Sequence, residues 1–331
     1  MTARGASATL PGALAAWRDG PTVPFPRSLV YDLTLDCNLR CPMCLYQGQR
    51  SPQRPFSELA RGFERFVDRI DSVYIIGAEP MTRGDLPEAV AWFKSRGKRV
   101  AVQSNGTIMR EDVIAAVDRF DTSLDGLERA NDAVRGPGSF VRTMGSIDRA
   151  LAHGTMGTVS TVAMEDTIAD IEPLVRLLEQ LDVAGIDLSP VVRYTAAERD
   201  RMAALGFGPD ELAMPAGTYA AGFRDQFDGL LRRLDPAPLV SVSPAYLGRT
   251  SAPFFDGRPR HGQSCGAVYS LRVGPAGEVI HCGMLRRSFG SIVDDDVPAL
   301  WRGPMRAFRQ RLYRAGLFPI CYRCCKRSWV W

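Results

Sequence analysis

Three cysteines fall in one short run, Leu35-Asp36-Cys37-Asn38-Leu39-Arg40-Cys41-Pro42-Met43-Cys44. Three thiolates leave most metal sites one ligand short. A structural zinc ion closes its tetrahedron with four protein ligands, and a fully protein-bound iron-sulfur cube uses four cysteines. Three cysteines on such a cube leave one iron open to a further ligand. A second group stands at the far end of the chain, at Cys265, Cys282, Cys321, Cys324 and Cys325. Four of these five thiolates are enough to enclose one metal centre, and their spacing alone leaves zinc and iron-sulfur both open.

The eight cysteines of this 331-residue chain all belong to these two groups. In a secreted protein that many would suggest disulfides. Clustering at the two ends of a long chain argues for metal ligation, with a reducing compartment keeping the thiols available. Residues 1–20 are rich in Ala and Gly but lack a long apolar core, and nothing downstream reaches membrane-spanning length, so we expect a soluble, cytoplasmic protein without membrane contact. The net charge of +4 comes without a basic stripe interleaved with aromatics, which argues against nucleic acid and at most favours docking of an acidic electron carrier. A 45% hydrophobic content supplies a sizeable core.

The elements that must position the first cysteine loop follow from hydrophobic patterning. From Ser28 onward, short β-branched runs alternate with amphipathic stretches, the pattern of repeated βα units on a parallel sheet. Strands are expected at Leu29–Leu35, Ser72–Ile76, Arg99–Gln103, Asp121–Leu124, Thr158–Met164 and Ile186–Ser189. Helices are expected at Ser57–Arg69, Leu86–Arg96, Glu111–Val117, Phe140–Ala152 and Ile168–Glu179, with Ser57 and Ser139 as N-caps. The repeat stops near Pro190, where a helical segment from Thr195 to Leu234 takes over. A hairpin, Tyr269–Val273 and Glu278–Cys282, turns through Gly274-Pro275-Ala276-Gly277.

Polar and glycine-rich turns follow the strands, where such folds collect their chemistry. They read Gly77-Ala78-Glu79-Pro80, Gln103-Ser104-Asn105-Gly106-Thr107 and Ser123-Leu124-Asp125-Gly126. With the cysteine run, in this order, they make the chain resemble the radical S-adenosylmethionine (SAM) enzymes. In that family a CxxxCxxC motif holds a four-iron cluster, with the amino and carboxylate groups of SAM on the fourth iron. The resemblance implies an α/β fold, a partial (β/α)6 barrel. It makes Cys37, Cys41 and Cys44 the cluster ligands. It places Gly77, Ala78, Glu79, Ser104, Asn105 and Ser123 against SAM, with Glu79 on its amino group and Asp125 near the ribose or the substrate. Ala78 stands where the family's motif has a second glycine. Arg135 and Arg142, in the segment that precedes the next helix, are both candidates for the SAM carboxylate, since arginine suits bidentate carboxylate recognition. Gly136 and Gly138 shape a loop into that helix, and His153 is an ordinary helix-end residue.

The C-terminal group is similar to the twitch domain, the shortened form of the SPASM extension. There, a cysteine before a hairpin, another after it and a later CxxC hold an auxiliary four-iron cluster. The resemblance implies Cys265, Cys282, Cys321 and Cys324 as ligands in a small α+β domain, leaving Cys325 as a spare thiol. It divides the chain into a tail (1–27), the barrel (28–194), a helical and loop bridge (195–261) and the auxiliary-cluster domain (262–331). It further implies a 5'-deoxyadenosyl radical that takes hydrogen from a substrate carbon, two 4Fe-4S clusters, and a flavodoxin- or ferredoxin-type electron donor. The expected substrate is a small polyhydroxylated molecule, an aminocyclitol or sugar, oxidised by two electrons with the auxiliary cluster as acceptor. Epimerisation through a thiol, modification of a peptide side chain, and a noncatalytic electron-transfer role are the alternatives.

Overall fold

Residues 24–47, 49, 52–235, 237–248, 251–258, 263–324 and 327–329 are described by the computed structural model. The first half alternates as expected: β1 (Ser28–Thr34), α1 (Phe56–Glu64), β2 (Ser72–Gly77), α2 (Leu86–Ser95), β3 (Arg99–Gln103), α3 (Glu111–Ala116), β4 (Arg119–Ser123), α4 (Glu128–Arg135), α5 (Ser139–Ala152), β5 (Met156–Ala163), α6 (Ile168–Glu179) and β6 (Gly185–Pro190). Neighbouring strands from β1 to β6 all pair in parallel. One side-chain set of each strand is fully buried against the helices. Tyr31 meets Phe63 at 5.1 Å between ring centroids, and Phe56, Phe93 and Val102 fill the same layer. Because side chains alternate along a strand, the other set faces the inside of the barrel. That set is largely polar: Asp32, Tyr74, Gln103, Asp121, Ser123, Ser160, Asp187 and Ser189.

Several elements depart from the sequence-based expectation. Ser57 lies inside α1, whose N-cap position is taken by Pro55, and the carboxylate of Asp85 accepts from Phe56 N at 2.8 Å instead. Ser139 is likewise the first helical residue and Gly138 the cap. Asp132, one element earlier, accepts from Gly138 N (2.5 Å), Phe140 N (2.8 Å) and Ser139 Oγ (2.9 Å). In both cases a tertiary carboxylate does what a local hydroxyl does in an isolated helix. Helix α4 was not anticipated; it carries Glu128 in its first turn and Arg135 in its last, the order its dipole favours, and Gly136 at φ 100 ends it.

Beyond β6 come α7 (Ala196–Ala204), opened by a capping box between Thr195 and Glu198, and α8 (Phe223–Leu234). The strand repeat does not stop at Pro190: β7 (Val240–Val242) adds in parallel to β6. The remaining elements are α9 (Ala252–Phe255), β8 (Gln263–Cys265), β9 (Ser270–Val273), β10 (Glu278–Ile280), β11 (Ser288–Ser291), α10 (Val297–Arg302), α11 (Pro304–Arg314) and β12 (Arg327–Trp329). Strands β8 and β12 pair antiparallel. The expected hairpin forms as β9 and β10, and it is not free-standing: β9 pairs in parallel with β1. Among the described residues this makes one ten-stranded sheet, ordered β11-β10-β9-β1-β2-β3-β4-β5-β6-β7. Covering β1 in this way protects an edge that would otherwise be open. No described helix is long and apolar enough to cross a membrane.

Candidate functional site: two thiol clusters joined through one strand

The first cysteine loop leaves β1 at Thr34 and is held by the turn after β2. Gly77 sits at φ 141, where a Cβ would stand 2.3 Å from Thr34 O, so this close approach requires glycine. The same turn donates Ala78 N to Thr34 O (2.9 Å) and Glu79 N to Asp36 O (3.0 Å). Within the loop, Cys37 Sγ accepts from Leu39 N (3.3 Å) and from Asn105 Nδ2 (3.7 Å), and Cys44 Sγ accepts from Tyr46 N (3.4 Å). Donors aimed at sulfur suit thiolates. Without a metal, burial pushes the Cys41 thiol up to about 11 and raises that of Cys37. Iron ligation reverses this by holding the thiolate form. Among the described residues no group of His, Cys, Asp or Glu is arranged to hold a single metal ion.

Glu79 is fully buried, and its carboxylate accepts from Met81 N (2.9 Å), Ser104 Oγ (2.8 Å) and Asn105 N (2.6 Å). Burial raises its pKa, and these donors oppose the rise. The carboxylate thus ties the end of β2 to the end of β3. Asn105 carries the tie onward, since its Nδ2 also donates to Asn38 Oδ1 at 2.9 Å beside the cysteines. Ser104 and Asn105, expected against SAM, meet protein partners with these polar groups, while Ser123 stands half-buried at the inner end of β4.

Asp125 was expected near the ribose or substrate and Arg135 on the SAM carboxylate. The structure pairs them with each other: Arg135 Nε donates to Asp125 Oδ2 at 2.6 Å, and Val162 N donates to Oδ1 at 2.8 Å. Both are buried, and both act electrostatically on Cys41. Arg142 is exposed on α5 and donates to Pro137 O at 3.1 Å. The geometry therefore brings Arg135, not Arg142, to the cysteine loop. His153 ends α5 and contacts Glu111 at 3.1 Å, as a helix-end residue does.

A network not anticipated from the sequence joins the two halves. Asp32, fully buried on β1, accepts from Arg272 Nε (2.9 Å) and Nη2 (2.6 Å), and pairs with Arg286 at 3.5 Å. Tyr46, two residues after Cys44, accepts from Arg272 Nη2 at 2.7 Å. Arg272 lies on β9 and Arg286 four residues after Cys282. The signal was available: a charge inside each of two otherwise apolar strands, Tyr31-Asp32-Leu33 and Leu271-Arg272-Val273, calls for a buried partner.

Cys265, Cys282, Cys321 and Cys324 line one pocket, with apolar walls that include Ala267, Leu285 and Leu312. Leu285 N donates to Cys282 Sγ at 3.3 Å. Cys321 lies within a 3-10 turn, Pro319–Arg323, and Cys324 caps its end; Arg323 of the turn pairs with Glu198 of α7. Four thiols around an apolar hollow fit an iron-sulfur cube. Cys325 lies outside the described residues.

Comparison with known proteins agrees with both centres. Residues 31–178 match the radical SAM superfamily. Residues 265–325 match an iron-sulfur cluster-binding domain of the SPASM type. An AdoMet-dependent heme synthase of Nitratidesulfovibrio vulgaris is 24% identical across 92% of this chain and 89% of its own length. A protein of the same name from Methanosarcina barkeri is 28% identical over 47% of this chain, which spans only 48% of that relative. In fold, the chain is similar to SuiB of Streptococcus suis bound to S-adenosylmethionine, with a TM-score of 0.66 at 14% identity over 95% of this chain and 75% of that one; SuiB is also known bound to its precursor peptide SuiA.

Proposed function

Since this chain belongs to the radical SAM superfamily and takes SAM and two iron-sulfur clusters, we propose that it removes hydrogen from a carbon of a small polyhydroxylated molecule, an aminocyclitol or sugar, and oxidises it by two electrons. The observation that carries this reading is the inner face of the barrel. Tyr74, Gln103, Ser123, Ser160, Asp187 and Ser189 project there as half-buried hydroxyl, amide and carboxylate groups. Tyr74 OH donates to Gln103 Oε1 at 2.5 Å, and Gln103 Nε2 donates to Ser160 Oγ at 3.3 Å, so the wall is ordered before any substrate arrives. Burying their remaining hydrogen-bonding capacity under an apolar substrate would be unfavourable, whereas the hydroxyl groups of a polyol can meet it.

When bound, SAM on the reduced first cluster supplies a 5'-deoxyadenosyl radical, the agent able to break an unactivated C–H bond. The chain's own residues do the rest. Cys37, Cys41 and Cys44 would hold the first cluster and leave it open to SAM. Glu79, Ser104 and Asn105 shape the adjoining wall, and Asp125 with Arg135 fixes its charge. For oxidation at a carbinol carbon, Asp187 on the inner face would take the proton, and Cys265, Cys282, Cys321 and Cys324 would hold the cluster that supplies an electron acceptor. A flavodoxin- or ferredoxin-type protein is the fitting donor to the first cluster.

The test is to incubate anaerobically reduced protein and SAM in deuterated water with aminocyclitols, amino sugars, a porphyrin and peptides. Peptides form the second reading, because SuiB, whose fold the chain shares, binds one. Substrate-dependent 5'-deoxyadenosine with a product two mass units lighter supports the proposal. An isomeric product carrying one deuterium, lost in Cys325→Ser, makes the protein an epimerase. Turnover only with peptides or the porphyrin rejects the polyol.

A further inference from the structure

His281 lies between the end of β10 and Cys282, 3% exposed, on the wall of the four-cysteine pocket. Its Nε2 is 3.7 Å from Cys265 Sγ. Its Nδ1 is buried without a hydrogen-bond partner. The ring packs edge-on against Phe308, with centroids 5.3 Å apart, so it cannot swing out to water without breaking that contact. Evolutionary neutrality is a poor explanation for a buried imidazole whose second nitrogen goes unsatisfied, since such a group costs stability unless the first nitrogen does something that repays it.

The pairing with sulfur supplies that. A cluster-bound thiolate has no proton to give. The hydrogen of the contact must therefore sit on Nε2, which leaves Nδ1 as a bare acceptor among apolar groups. Arg309 completes the surroundings. Its guanidinium is buried 3.8 Å above the Trp301 ring, donates to Trp301 O at 2.8 Å, and acts electrostatically on both Cys265 and His281. Hydrogen bonds to cluster sulfur and nearby positive charge stabilise the reduced, more negative state of a cluster and raise its potential.

We propose that His281 donates a hydrogen bond from Nε2 to the Cys265 thiolate of the auxiliary cluster and, with the charge of Arg309, holds that cluster at a potential suited to accepting the electron of substrate oxidation. This rests on the reading that Cys265 is a cluster ligand. His281 is a positioning and tuning residue: it touches the cluster's ligand, not the substrate.

The experiment uses the full chain with Cys37, Cys41 and Cys44 replaced by Ala, so that only the auxiliary cluster contributes a signal, and with histidine labelled with ¹⁵N. The chain has three histidines, His153, His261 and His281. In the reduced state, pulsed electron paramagnetic resonance should show a nitrogen coupling that survives His261→Ala and vanishes in His281→Leu. A redox titration of His281→Leu should give a midpoint shifted to more negative values, and His281→Gln, which retains an N–H donor, should shift less. Absence of the coupling, its loss in His261→Ala, or an unchanged midpoint in His281→Leu overturns the proposal. Should His281→Leu fail to assemble a cluster, the labelled His261→Ala protein decides alone. Absence of iron from the triple-cysteine variant instead rejects the two-cluster reading itself.

Discussion

Arg135 Nε lies 2.6 Å from Asp125 Oδ2, and the pair is buried between the ends of β4 and α4, close enough to Cys41 to act on its thiol. A carboxylate fully engaged by a guanidinium and by Val162 N is a structural group that sets the charge of the wall. Removing one partner of such a pair leaves the other charge buried alone, at a cost of about 3–5 kcal/mol. Asp125→Ala is therefore expected to lower stability by that order, and iron content and SAM cleavage with it. Anaerobic denaturant unfolding checks this. Full stability with a selective loss of turnover would instead make Asp125 a catalytic residue.

Glu79 satisfies three donors from two strand ends. Glu79→Gln keeps the shape, but its amide offers one acceptor oxygen where the carboxylate offers two, so one buried N–H or O–H loses its partner. The expected cost is about 1–3 kcal/mol. SAM affinity should weaken while both clusters persist, because Asn105 positions the wall beside Cys37. Isothermal titration with SAM and an iron assay on the same sample measure both. Unaltered affinity would detach Glu79 from SAM binding.

Asp32 is the common partner of Arg272 and Arg286, and Arg272 reaches Tyr46 beside the first cysteine loop. Asp32→Asn leaves two buried guanidinium groups facing a neutral amide. The loss should again be about 3–5 kcal/mol, and it should loosen both centres at once, since the network reaches Tyr46 on one side and Arg286 on the other. Iron per chain and the unfolding midpoint should fall together. Loss confined to one centre would show that β1 and β9 hold each loop independently.

The two cysteine groups are separate, and each suffices for one cube. Anaerobically reconstituted protein should hold about eight irons per chain. The triple variant of Cys37, Cys41 and Cys44 to Ala should keep about four and lose SAM cleavage completely. Cys321→Ala should retain the first cluster and stall after hydrogen abstraction. Zinc at the C-terminal group, or undiminished SAM cleavage in the triple variant, would contradict this.

Much of this protein was legible in the order of its residues because the relevant physics is local. Cys37, Cys41 and Cys44 declare a three-thiol centre by spacing alone, and β1 to β6 are readable because the set of each strand that packs on the helices is largely apolar. Gly77 and Glu79 are likewise marked by their place after a strand. What the tertiary structure alone decided concerns partners distant in sequence. Nothing in the run around Arg135 says that its charge is spent on Asp125, or that Arg142 points to solvent. Nothing near Ser57 says that Asp85 will cap the helix in its stead. The pairing of β9 with β1, which puts both thiol centres on one sheet and buries Asp32 against Arg272, depends on which open edge the C-terminal hairpin covers. Local pattern chooses an element's type because it depends on neighbours a few residues away, whereas the partners of a buried charge and of a strand edge are settled only when distant segments compete to satisfy them.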